Sequence, residues 1–213
     1  QIGDIKHTIL DNISIDAKTD GMGGEHTMNT YGVLYGTNNY ENTMNTVSIY
    51  SALKGLNAKN SSVLLVNNLK TYNNDKDGIY LWWDSQFNIF NNIQSYNNGL
   101  GIKVESSYQN TFNNTQVYNN AGYGIVAPSW SSDNIYNNIR SYNNYSDGLY
   151  FGPLCQSTLN NVRSYNNGGV GLYTPDNTTT YYGDLKLFEN EGWPVTINDS
   201  DPKLSVNRAP NRT

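Results

Sequence analysis

Seven glycines, Gly32, Gly55, Gly78, Gly101, Gly124, Gly148 and Gly171, recur at steps of 23 residues with one step of 24. Self-similarity at a period between 20 and 50 residues marks a solenoid, a propeller or a stacked array. An aromatic column, Tyr50, Tyr72, Tyr96, Tyr118, Tyr142, Tyr165 and Phe188, keeps the same period, and five units open on an Asn-Asn pair beginning at Asn67, Asn91, Asn113, Asn137 and Asn160. Within a unit, three short β-compatible pieces alternate with Asn, Gly or Ser turns. None shows a 3.6-residue pattern long enough for a helix. Coils of this kind bury their apolar face only by stacking, with equivalent strands parallel and about 4.8 Å apart. The expected fold is an all-β parallel β-solenoid of about eight coils, three short strands per coil, forming a rod of roughly 38 Å.

Columns of like residues set the register. Val47, Leu69, Ile93, Thr115, Ile139, Val162 and Leu185 precede Ser48, Lys70, Gln94, Gln116, Arg140, Arg163 and Lys186, the in/out alternation of a strand with one buried face. Met44, Val66, Phe90, Phe112, Tyr136, Leu159 and Tyr182 predict a second inward stack, and Leu56, Ile79, Ile102, Ile125, Leu149 and Leu172 a third. Asn68, Asn92, Asn114, Asn138 and Asn161 predict a structural ladder in one turn, each amide donating to the next coil and accepting from the previous one. The tyrosine column predicts a ring stack at a corner, with hydroxyls in water. Residues 1–41 read as a first coil with a loop insertion at about 17–30, expected to act as a cap. Residues 42–198 read as the regular repeats and 199–213 as a tail or linker.

Composition narrows the function. The 213 residues carry a net charge of -5 with 15% charged residues, which leaves no basic surface for a phosphate backbone and makes nucleic acid a poor partner. The 27 aromatic residues argue against disorder, and 36 Asn beside 19 Gly imply many left-handed turns. No apolar run, Val63 to Val66 included, approaches the roughly 20 residues of a membrane span. A chain opening at Gln1 reads as a processed or excised segment. Cys155 excludes an internal disulfide and reads as an inert thiol, while His7 and His26 both precede the regular repeats, so no histidine metal cluster is expected on the repeat face. Seven Asn-x-Ser/Thr sequons, at Asn12, Asn60, Asn113, Asn144, Asn177, Asn198 and Asn211, suit a glycosylated extracellular or cell-surface setting.

The NN-I-x-S-Y-NN-G-x-G-I repeat resembles the right-handed parallel β-helix repeats of the pectin-lyase-like superfamily over about residues 42–198. The resemblance implies a right-handed solenoid. The superfamily spans lyases, hydrolases, epimerases, phage tailspikes, adhesins and non-catalytic repeats, so it leaves the activity open. Its enzymes work on the sheet that follows the glycine. There, alternation points Tyr80, Lys103, Val126, Tyr150 and Tyr173 outward in one column and Trp82, Glu105, Pro128 and Gly152 in the next.

Flat rings beside charged groups suit sugar, since pyranose C–H faces pack on rings and hydroxyls take polar partners. The expected carbohydrate-binding residues are Tyr80, Trp82, Lys103, Glu105, Trp130, Tyr150 and Tyr173. If the chain is an enzyme, Glu105, Asp84 and Lys103 are the catalytic candidates, the two carboxylates standing roughly 8 Å apart from strand geometry. The Gly-His-Gly acidic pairs of polygalacturonase-like members and the Asp-Pro-His-Asp of alginate epimerases are absent. No cofactor is expected, with calcium at Asp75, Asp77 and Asp147 as the candidate exception. The leading expectation is an extracellular structural or surface module that contacts glycans and self-associates end to end; a polysaccharide lyase or glycoside hydrolase around Trp82 and Glu105 is the alternative.

Overall fold

A computed structural model of the chain describes residues 8–17, 31–36, 39–174, 180–182, 184–192 and 195–196. His7, His26, most of the expected insertion, the sequons at Asn177, Asn198 and Asn211, and the 199–213 tail lie outside the described residues, as does the side chain of Tyr182. Strand pairing is parallel throughout, and equivalent residues of successive units face each other, as in Leu56↔Ile79 and Ile102↔Ile125. The front sheet holds eight strands in chain order: Tyr31–Tyr35, Lys54–Lys59, Asp77–Trp82, Leu100–Glu105, Ile125–Ala127, Leu149–Phe151, Leu172–Tyr173 and Val195–Thr196. The first and last coils fall partly outside the described residues.

An eleven-stranded back sheet forms the other two sides. It bends where Asn68, Asn92, Asn114, Asn138 and Asn161 take φ between 51° and 58°. In Thr43–Tyr50, Leu65–Tyr72, Asn134–Tyr142 and Ser157–Tyr165, the second and third pieces of the coil run through this bend as one strand. The expected three short strands per coil are there merged into two. Asn tolerates the left-handed region because its short polar side chain bonds locally.

Glycine has a different job. Among the described residues none of the positive-φ positions is a glycine. The glycine column instead admits a close approach: a Cβ on Gly78 would lie 2.1 Å from Ser95 Oγ, and one on Gly148 1.9 Å from Ser164 Oγ. Those hydroxyls are fixed, since Ser95, Ser141 and Ser164 donate to the carbonyls of Gly101, Gly148 and Gly171 at 2.8, 2.7 and 2.8 Å.

Among the described side chains the three inward columns are buried as the alternation predicts, with Phe90, Phe112 and Tyr136 stacked at 4.8 and 5.3 Å. The tyrosine column forms a continuous stack from Tyr50 to Phe188, with centroids 4.9 to 5.2 Å apart and rings within 12° of parallel. The Asn68 ladder also forms, with one reversal. Each amide donates to the preceding coil, from Asn92 to Asn68 at 3.1 Å through Asn161 to Asn138 at 2.7 Å, and the ladder is solvent-exposed.

Two further ladders are buried and run the other way. The backbone N–H groups of Asn74, Asn98, Asn120, Asn144 and Asn167 donate at 3.0 to 3.2 Å to the Oδ1 of the next asparagine, ending on Asn190. Asn88, Asn110 and Asn134 repeat the arrangement at the third corner. These side chains satisfy turn N–H groups that the sheets leave without partners, which an interior turn requires.

Tyr35 and Tyr136 are fully buried, and their hydroxyls have no hydrogen-bond partner among the described residues. Burial pushes Tyr35 up to about 12 and raises Tyr136 further. These phenols ionise near 10 when unfolded, so the stability they contribute is complete below that pH and is lost as pH rises toward their folded values. Alkaline titration is expected to show a tyrosinate step coincident with loss of β circular dichroism above about pH 10. Complete titration of all tyrosines with the fold intact would contradict it.

Candidate functional site

The front sheet presents its outward side chains in register. Asn57, Tyr80, Lys103, Val126, Tyr150 and Tyr173 form one column, and Lys59, Trp82 and Glu105 begin the next. Residues two apart on a strand share a face, so Tyr80 and Trp82 stand side by side, their rings 5.7 Å apart and 3° from parallel. Lys54 Nζ sits 3.8 Å from the Tyr80 centroid, and Lys59 Nζ sits 4.7 Å from Trp82 and 4.3 Å from Trp83. Lys103 Nζ lies 4.9 Å from the Tyr80 centroid and 2.9 Å from Glu105 Oε2. The Tyr80 hydroxyl donates to the same carboxylate, and Trp82 Nε1 donates to Asn57 Oδ1 at 2.8 Å.

Opposing influences set the charge states. Partial burial works to raise the Glu105 carboxyl, but the hydrogen bonds from Tyr80 and Lys103 prevail and hold it below the usual range. Burial, followed by the bond to Glu105, raises Tyr80. Asp77 is 5% exposed; burial raises its carboxyl even though Lys54 Nζ stands 3.4 Å away, and burial lowers Lys54 in turn. Around neutral pH the face therefore offers an ionised acceptor at Glu105, cations, and a phenol held protonated.

Of the residues expected here, the structure brings together Tyr80, Trp82, Lys103 and Glu105. Asp84 goes elsewhere: it lies in the turn beyond the strand, at φ 67°, and accepts a hydrogen bond from the Tyr108 hydroxyl. Trp130 stands 66% exposed in a later turn. Tyr150 and Tyr173 stack on each other at 4.8 Å, separated from Lys103 along the column by Val126, which is 5% exposed. Asp77 is committed to Lys54, Asp147 accepts from the Val170 N–H at 2.8 Å, and Leu100 follows Asp77 in register. Among the described residues no three His, Cys, Asp or Glu side chains cluster to hold a metal ion. Cys155 is buried, donates to the Ala127 carbonyl at 3.3 Å, and is raised by that burial.

Lys54, Asn57, Lys59 and Trp83 belong to the cluster and escape the sequence reading. The signal was present for Asn57 and Lys59, which sit one period before Tyr80 and Trp82; the outward columns had only to be extended back one coil. Trp83 follows the strand at φ 52°, which turns it beside Trp82 against simple alternation.

A family model described as a right handed beta helix region matches residues 24–139. No curated protein matches the chain. Among solved structures, the A-module of mannuronan C-5 epimerase AlgE4 from Azotobacter vinelandii aligns with a TM-score of 0.68 at 19% identity, covering 72% of this chain and 43% of that one. The enzymatically active domain of bacteriophage CBA120 tailspike protein 2 aligns with a TM-score of 0.63 at 12% identity, covering 86% and 30%. Pectate lyase Pel9A aligns with a TM-score of 0.50 at 15% identity, covering 95% and 57%. At these identities the likeness is one of fold, and this chain spans well under two thirds of each of these structures.

Proposed function

The chain belongs to the right-handed β-helix family, and we propose that it is an extracellular surface module that contacts a polysaccharide through the face around Tyr80 and Trp82. The observation that carries this reading is the pair of parallel rings bordered by Lys54, Lys59 and Lys103. The half-buried Trp82 and the 60% exposed Trp83 offer ring surface to the C–H faces of sugar rings, while the ammonium groups and Glu105 take hydroxyls and carboxylates. Two of the structural neighbours are named for mannuronan and pectate, and these polymers head the ligand panel.

Titration of tryptophan fluorescence with that panel tests the reading. Trp82→Ala is expected to weaken binding at least tenfold, the loss typical of an aromatic anchor. Unchanged affinity in a folded Trp82→Ala protein would discard the face.

A second reading, a lyase or hydrolase acting on the face around Trp82 and Glu105, draws on the Glu105 carboxylate, held below its usual range by the Tyr80 hydroxyl and Lys103. It requires new reducing or unsaturated ends that vanish in Glu105→Gln. End-to-end assembly into filaments belongs to the same surface-module proposal and is tested by electron microscopy over a range of concentrations.

A further inference from the structure

We propose that the back sheet carries a second, separate binding groove, which clasps a carboxylate-bearing oligosaccharide between a guanidinium row and the exposed asparagine ladder. The groove has a volume of about 310 Å³ and runs along the stacking direction. One wall is Asn114, Asn138 and Asn161, locked to one another by amide bonds of 3.0 and 2.7 Å. The other is Gln116, Arg140 and Arg163, Cα partners in successive coils. The backbone beneath is rigid, with Ile139 buried in the core.

Two facts go beyond an ordinary solvated face. Arg140 and Arg163 are stacked in register, where like charges repel, yet neither has an ion-pair partner among the described residues. Asp184, in the next coil, is taken by Lys186 at 3.5 Å. In a chain of net charge -5, this uncompensated pair stands opposite a wall whose amides repeat at the same coil spacing.

Guanidinium forks match carboxylates bidentately, and ordered carboxamides present both donors and acceptors to hydroxyls. An acidic peptide fits less well. The groove offers no apolar pocket for anchor side chains, and both walls lie inside a continuous sheet, so no free edge is available for strand addition.

The test uses a fluorescein-labelled hexagalacturonide in polarisation titrations at low and moderate salt. Trp82→Ala, which disables the front face, is expected to retain salt-sensitive binding. Adding Arg140→Gln and Arg163→Gln is expected to reduce that binding at least tenfold, and Arg140→Lys with Arg163→Lys severalfold, because the forks are lost while the charge stays. The methyl-esterified hexamer is expected not to bind. Binding in the Trp82→Ala background that survives both glutamine substitutions overturns the groove, as does equal competition by hexaglutamate. Loss of all binding in Trp82→Ala alone overturns it too, while leaving the front-face reading intact.

Discussion

Asn144→Ala is expected to lower the melting temperature by about 10 °C, whereas Asn138→Gly changes it by no more than about 2 °C. Both residues belong to asparagine ladders, and the difference is burial. Asn144 is 2% exposed; its Nδ2 donates to Asn167 Oδ1 at 2.9 Å and to Ser141 Oγ at 3.1 Å, and its Oδ1 accepts from the backbone N–H and Nδ2 of Asn120 at 3.2 and 2.9 Å. Truncation strands at least two donors where water cannot reach, at about 1 to 3 kcal/mol each. Asn138 is exposed, so water replaces its partners, and glycine keeps its φ of 56° free of strain. Similar melting temperatures for the two variants would mean that the buried ladder does not hold the coils together.

Gly124→Ala is expected to destabilise by about 3 kcal/mol or more, or to block folding. An added Cβ would meet Ser141 Oγ at 2.2 Å, the Gly148 carbonyl oxygen at 2.5 Å and Asn144 Nδ2 at 2.8 Å. A serine alone would yield by rotating. The carbonyl has less freedom, because it accepts from the Ile125 N–H at 3.0 Å in the ladder and from Ser141 Oγ at 2.7 Å. Pairing the substitution with Ser141→Ala should therefore recover only part of the loss. A Gly124→Ala protein that melts with the wild type would show that the coil spacing relaxes more easily than this geometry allows.

Much of the architecture was legible beforehand, for a physical reason. A solenoid stacks each residue on its equivalent one period away, so Val47, Leu69 and Ile93 announce one another in the sequence as they do in space. Which asparagine of a Tyr-Asn-Asn run points inward was not legible. Asn143 takes φ 54° and turns the chain, so that the alternation restarts and Asn144 enters the core. A positive φ leaves no trace in a one-dimensional pattern in which both positions hold the same residue.

The candidate site divides in the same way. Tyr80, Trp82, Lys103 and Glu105 follow from strand alternation and the period, and the structure assembles them. Asp84 satisfied the same arithmetic, yet the strand ends at Trp82 and two positive-φ residues carry the aspartate off to Tyr108. Lys54 reaches Tyr80 and Asp77 by the length and rotamer of its side chain, which no spacing encodes. The sequence by itself thus determined the fold, the inward columns and the outward face, because all three depend on periods of two and 23. The tertiary structure alone decided where the strands stop, which amides are buried and which charges meet. Those depend on local φ reversals and on contacts between coils, whose energies come from burial and not from order along the chain.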